Sequence, residues 1–304
     1  MSIQSITVHG ITWYDAVNPS EDDLRELQNM YQFHDLDIED CMSENERPKL
    51  EEYPDYLFLV LHIPVKVGNR VTKEEVNIFI GRAFMVTLSE GKTHVIEQLW
   101  QHTQASREYQ EEVMQQGTAF LLYKLLDRLF DTGFKLVDEL TRELRRIETQ
   151  LLEKEEGKIN ILRDVLSLKR NIITMRSILF PQRAVVALIQ HKNRDLVPAE
   201  LGIYFDDVSD AIERQWALLD TAKEMSDALQ DTHESWLTYR TNSIIRVLTV
   251  YSVIVYPLMI IPGFYGMNIT LPYQNHPHAF TIIFGLTGCV TIAMVAYSVW
   301  KKWL

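Results

Sequence analysis

The sequence holds little with which to build a covalent or metal framework. Its two cysteines, Cys41 and Cys289, lie far apart among 304 residues and fit no metal-ligand spacing, which excludes a disulfide scaffold and a zinc ribbon. No Gly-x-x-x-x-Gly-Lys loop is present to cradle nucleotide phosphates, and no nucleophile–base constellation stands out, so the chain does not read as an enzyme or as the user of an organic cofactor. The N-terminus, MSIQSITVHG, lacks the apolar segment of a signal peptide. Positive charge is also short: 30 Lys+Arg stand against 42 Asp+Glu, a net of -12, which argues against nucleic acid as a partner. Internal repeats and low-complexity segments are not evident. The length allows one large domain or two ordinary ones.

The charge is unevenly spread. Residues 241–304 contain Arg246, Lys301 and Lys302 and no acid, which leaves 27 of the 30 basic residues and all 42 acidic ones in residues 1–240. Within that tail, Val247–Gly266 and Ala279–Trp300 carry no charge at all. At about 1.5 Å per residue, each is long enough as a helix to cross roughly 30 Å of hydrocarbon. A buried helical hairpin in a soluble protein is the competing explanation, but two adjacent uncharged stretches of this length are unusual in a soluble core. The tail therefore predicts a lipid bilayer as a partner. The basic residues flank the two spans on one side, and the loop Asn268–His278 has none. The positive-inside rule then puts both termini in the cytoplasm of a two-span protein of the cell (inner) membrane. Tyr273, Trp300 and Trp303 suit an interfacial aromatic belt.

The body divides by periodicity. Up to about Leu88, stretches such as YLFLVLHIPV and AFMVTL predict strands, and Ser20 is placed to cap a helix with acids in its first turn. Beyond Gly91, helical spacing dominates, as at Leu121, Leu122, Leu125, Leu126 and Phe130. We read an α/β domain at 1–115, a long helical hairpin at 116–205, broken at 153–157, and a stalk helix at 206–246. It continues into a first span at 247–267, an outer loop at 268–278, a second span at 279–300 and a basic tail at 301–304.

Two helices cannot enclose a water-filled path, so a transporter of this design must assemble from several copies. Along the long helix, Thr238, Asn242, Ile245, Thr249, Ser252, Tyr256, Met259 and Gly263 recur at three- and four-residue intervals, on one side of a bundle seam. Spacing alone leaves two readings open, a polar lining and interhelical glue.

At the end of that stripe, Tyr265-Gly266-Met267-Asn268 resembles the YGMN signature of the CorA family of divalent-cation transporters. Leu36–Asp40, Arg47–Lys49, Tyr56–Val60, Leu168–Asn171, Tyr204–Asp207 and the basic end from Lys301 fit the same family, so the resemblance covers nearly the whole chain. It implies a homopentameric, CorA-like funnel that takes up Mg²⁺, and also Co²⁺ or Ni²⁺, driven by the membrane potential and gated by cytoplasmic Mg²⁺. It makes Gly266, Met267 and Asn268 the outer filter, with Asn268 oxygens holding a hydrated ion and Gly266 giving the backbone room to turn. Met267 is expected to pack, a thioether being a poor ligand for a hard cation. A helix C-cap is the competing role for Asn268.

By the same resemblance, Asn242 matches a cytoplasmic-side pore ring and Leu248 a hydrophobic constriction, with Thr249, Ser252 and Tyr256 along the pore. Tyr256 departs from the family, many of whose members carry methionine there. The outer loop departs as well, having no acid after the signature. His276 and His278 in that loop are either solvated or recruiters of zinc. Glu39, Asp40, Asp127 and Asp207 resemble regulatory metal positions between subunits, and Asp231 is a further acid of the funnel. Two alternatives stay open, a Zn²⁺ transporter of the related ZntB type and a non-conducting membrane scaffold or regulator.

Overall fold

The computed structural model describes residues 3–43, 46–153, 158–189, 196–268 and 276–301, which fall into two units, Met1–Gln230 and Asp231–Leu304.

The first unit is built on a six-stranded sheet. β1 (Ile3–Val8) and β2 (Ile11–Val17) form a hairpin whose turn residues, His9 and Gly10, both have positive φ, 51° and 83°. A two-residue turn of this hand matches the twist of the strands it joins. α1 (Glu21–Tyr31) and α2 (Asp35–Met42) follow, and then β3 (Lys49–Glu52), β4 (Tyr56–Val67), β5 (Arg70–Gly81) and β6 (Phe84–Ser89). The strand order is β1-β2-β6-β5-β4-β3, antiparallel throughout except where β2 lies parallel to β6. Ser20 caps α1 as expected, accepting from the Asp23 amide while the Asp23 carboxylate accepts from the Ser20 backbone N–H.

Both faces of this sheet are covered, which explains why β4 reads as an unbroken apolar run rather than an alternation. Leu57, Leu59, Leu61 and Ile63 face one core, where Ile78, Ile80 and Met85 join them with side chains from the later helices. Phe58 and Val60 face the other, with Phe79, Val86 and Leu88 beneath Leu24, Leu27 and Ile38 of α1 and α2. Beyond the sheet come α3 (Val95–Ala105), α4 (Arg107–Met114), α5 (Thr118–Glu153) and α6 (Lys158–Ile189). The expected break at 153–157 lies almost wholly outside the described residues.

After a 3-10 turn at Ala199–Leu201, α7 runs from Gly202 to Tyr265 as one helix, starting four residues before the expected Asp206. It passes through Pro257 and Pro262 without ending. α8 spans Ala279–Trp300, the limits expected of the second span.

Among the described residues, three helical stretches are long and apolar enough to cross a membrane, and burial separates them. In α6 the apolar window is 44% buried, against 6% for those of α7 and α8. Val165, Ile172, Met175 and Leu179 place α6 in the core of the first unit, so its hydropathy is explained without lipid. The apolar surfaces of α7 and α8, including Leu248, Ile260, Phe264, Phe280 and Phe284, stay exposed in the single chain. These two helices make this a membrane protein.

Candidate functional site

In the second unit, α8 covers one side of α7. Val250, 2% exposed, lies with Val253 opposite Val290, Ala293, Met294 and Ser298. The small polar residues buried on α8 are Thr287 and Ser298. Asn242, Leu248, Thr249 and Tyr256, by contrast, are exposed, Tyr256 by 60%, and Ser252 is half-buried. Within one chain, then, the polar stripe of α7 is left largely uncovered by α8.

The stripe has a fixed polarity. Thr249 Oγ1 donates to the Ile245 carbonyl at 2.8 Å, and Ser252 Oγ donates to the Leu248 carbonyl at 2.9 Å. Thr238 Oγ1 does the same to Glu234 at 3.0 Å. With each hydroxyl proton committed inside the helix, the remaining oxygen lone pairs are acceptors only.

At its end, α7 is closed by the backbone. The Gly266 N–H donates to Pro262 O at 2.9 Å and to Gly263 O at 3.2 Å, and Met267 N–H donates to Phe264 O at 3.3 Å. Gly266 and Met267, rather than Asn268, therefore satisfy the last carbonyls. The expected conformational reason for Gly266 needs correction. Its φ is not positive, and an added Cβ would meet Gly263 O and Pro262 O at an ordinary 3.5 Å. Met267 is 49% exposed in the single chain. Asn268 is exposed just past the helix end.

His278 occupies the N-cap position of α8 without a side-chain capping hydrogen bond, and its backbone N–H donates to His276 Nδ1 at 3.2 Å, so that nitrogen is already engaged. Residues 269–275, including Tyr273, and Lys302 and Trp303 lie outside the described residues.

The acids of the first unit separate into two places. Glu39 and Asp40 lie on α2, where Asp40 Oδ2 meets Lys49 Nζ at 2.5 Å. Asp127 on α5 and Asp207 on α7 share a neighbourhood with Asp131. Burial raises the Asp127 carboxyl above its ordinary value of 3.8, and the charges of Asp131 and Asp207 raise it further, against Lys124 and Arg128. Tyr123 is raised by burial and the same acids. Sequence reading missed Asp131, although it stands one turn beyond Asp127 on the same helix face. Asp231 is exposed on α7. Among the described residues no group of three or more His, Cys, Asp or Glu side chains gathers within the chain to hold a metal.

Comparison with known proteins agrees with this architecture. The family model described as CorA-like Mg²⁺ transporter protein matches residues 8–298. YfjQ of Bacillus subtilis (strain 168) is 29% identical over 304 residues, which span 99% of this chain and 93% of that protein. The cobalt/magnesium transport protein CorA of Thermotoga maritima is 26% identical over 297 residues, 96% of this chain and 83% of its own. The complete structure of the CorA magnesium transporter from Methanocaldococcus jannaschii superposes with a TM-score of 0.86 at 22% identity, covering 99% of this chain and 94% of that one. The fold, an α/β domain followed by long helices and two apolar C-terminal helices, is the one found there. The chain belongs to the family of CorA-like Mg²⁺ transporter proteins.

Proposed function

We propose that several copies of this chain, five by analogy with the family, assemble around the polar stripe of α7 to form a passive conduit for Mg²⁺, open also to Co²⁺ and Ni²⁺. The observation that carries this reading is the uncovered stripe itself, which runs along α7 on the side away from α8 and leads to Asn268.

Its acceptor-only lining suits the cargo. Mg²⁺ gives up its waters reluctantly, and a hydrated cation presents water hydrogens outward as donors. Rings of Thr249 and Ser252 oxygens accept from those waters, and an Asn268 ring offers neutral oxygens at the mouth. Neutral oxygens bind more weakly than a carboxylate ring, which favours release. Asn242 forms a second polar ring, Leu248 a hydrophobic constriction, and Tyr256 a bulkier ring than a methionine side chain makes. Both termini face the cytoplasm in this arrangement, with Arg246 and Lys301 on the positive side. Asp127, Asp131 and Asp207, with Glu39 and Asp40 of a neighbouring copy, form the regulatory face where Mg²⁺ offsets carboxylate repulsion. Asp231 adds an acidic ring to the inner vestibule.

The test is ion flux into liposomes carrying the purified full-length protein. Mg²⁺ influx above protein-free vesicles, inhibited by Co²⁺ and Ni²⁺, is expected. Influx of Zn²⁺ with none of Mg²⁺ would move the chain to the zinc alternative, and no flux of any ion would leave only a scaffold.

A further inference from the structure

Three cations of α6 pair with three acids of α7 at seven-residue intervals. Lys169 Nζ meets Asp227 Oδ1 at 2.6 Å, and Arg176 pairs with Asp220. Arg183 meets Glu213 with both edges of its guanidinium, Nε at 2.6 Å and Nη2 at 2.7 Å. The partners descend along α7 as they ascend along α6, so the helices run antiparallel. Seven residues is the repeat at which two packed helices present the same faces again. Trp216 lies between two rungs, its ring 4.6 Å from Arg176 and 5.2 Å from Arg183.

The acidic track is longer than the basic one. Asp206 stands seven residues before Glu213 and pairs with none of the three cations. A slide of α7 by one heptad, about 10.5 Å, would set Lys169 against Asp220, Arg176 against Glu213 and Arg183 against Asp206. Three pairs would form again, and the cost in charge is confined to one end, where Lys223 would take the place of Gln230, which now accepts from Lys169 Nζ at 2.9 Å.

A buried amide opposes the slide from within the core. Gln215 of α7 is 0% exposed and donates through Nε2 to the Phe130 carbonyl of α5 at 2.9 Å. Its amide occupies a notch that exists because residue 133 is glycine: a Cβ there would stand 2.4 Å from Gln215 Oε1. A one-heptad slide would carry Gln215 to the place of Ala222, which is itself buried, away from that carbonyl. A single buried polar residue in an apolar seam is a known way to fix helix register.

We infer that α7 has a further ion-paired register against α6 one heptad away, and that Gln215 in the Gly133 notch helps to select the observed one.

The experiment reads the register directly. Spin labels are placed at Ser177→Cys on α6 and Ile203→Cys on α7 in full-length protein carrying Cys41→Ala and Cys289→Ala. Labelled chains are diluted into unlabelled ones, and the interlabel distance is measured by pulsed dipolar spectroscopy. The parent should show one distance. Gln215→Leu, or Gly133→Ala if the first variant folds poorly, should add a second population shorter by on the order of 10 Å, the length of one heptad. Exchanging the central rung (Arg176→Asp with Asp220→Arg) keeps the observed pair but opposes like charges in the slid register, position 176 to Glu213 and position 220 to Lys169. Adding that exchange should abolish the second population. A single parental distance in both Gln215→Leu and Gly133→Ala would overturn the inference, as would a second population that survives the exchange.

Discussion

Replacing Asn268 with alanine is expected to reduce Mg²⁺ flux at least a hundredfold while leaving oligomer size and thermal unfolding unchanged. The side chain is exposed beyond the end of α7, and the last helix carbonyls are satisfied by the amides of Gly266 and Met267. Its removal should therefore cost little stability, within about 0.5 kcal/mol for an exposed site of this kind. What it removes is the ring of amide oxygens that holds the hydrated ion at the mouth. Asn268→Asp provides the complementary check. Carboxylates would hold Mg²⁺ more tightly and slow its release, so flux should fall while apparent affinity rises. Flux in Asn268→Ala equal to that of the parent would exclude the residue from the filter.

The regulatory acids yield the second large effect. Mg²⁺ at millimolar concentration should protect α7 from limited proteolysis, and Asp127→Asn with Asp207→Asn should remove most of that protection. The pH dependence has a definite sign. Burial, then Asp131 and Asp207, raise the Asp127 carboxyl above its usual range. In chelator, such a group contributes stability that is full at low pH and lost as pH rises through its folded value. The ion-free first unit should thus become more resistant on mild acidification. With Mg²⁺ present the opposite holds, because protons compete with the ion for Asp127 at a higher pH than for an ordinary carboxylate. Protection by Mg²⁺ should fade as pH drops, and the double variant should show neither trend. Identical titrations of variant and parent would make these acids plain surface charge.

Much of this molecule was legible from residue pattern because burial and pattern coincide. The β4 run is apolar on both sides because both faces of its sheet are covered, and Ser20 with Asp23 forms the cap that its spacing predicted. The two C-terminal helices followed from their missing charges. β3 escaped because Lys49-Leu-Glu-Glu52 is a charged strand at the end of the sheet order, where charge discourages further pairing. The hydropathy of α6 alone would have suggested a third span, and only its packing removes that reading. The position of Gly266 was readable, but the reason for it was not, since its φ is not positive and a Cβ there would meet only ordinary contacts. The α6–α7 ladder was present in the sequence as two seven-residue series. Neither has meaning until α6 and α7 pack antiparallel.

The central claim is that the α7 stripe of an assembled oligomer conducts Mg²⁺ down its electrochemical gradient with no other energy source. The most direct measurement is Mg²⁺ entry into proteoliposomes at graded potassium-diffusion potentials. Two charges moving inward gain about 4.6 kcal/mol per 100 mV, a difference on the order of a thousandfold in equilibrium accumulation. Entry that rises steeply with interior-negative potential, reverses in sign with it and needs no nucleotide is the predicted result. Mg²⁺ entry that is absent, or indifferent to potential, would contradict the account.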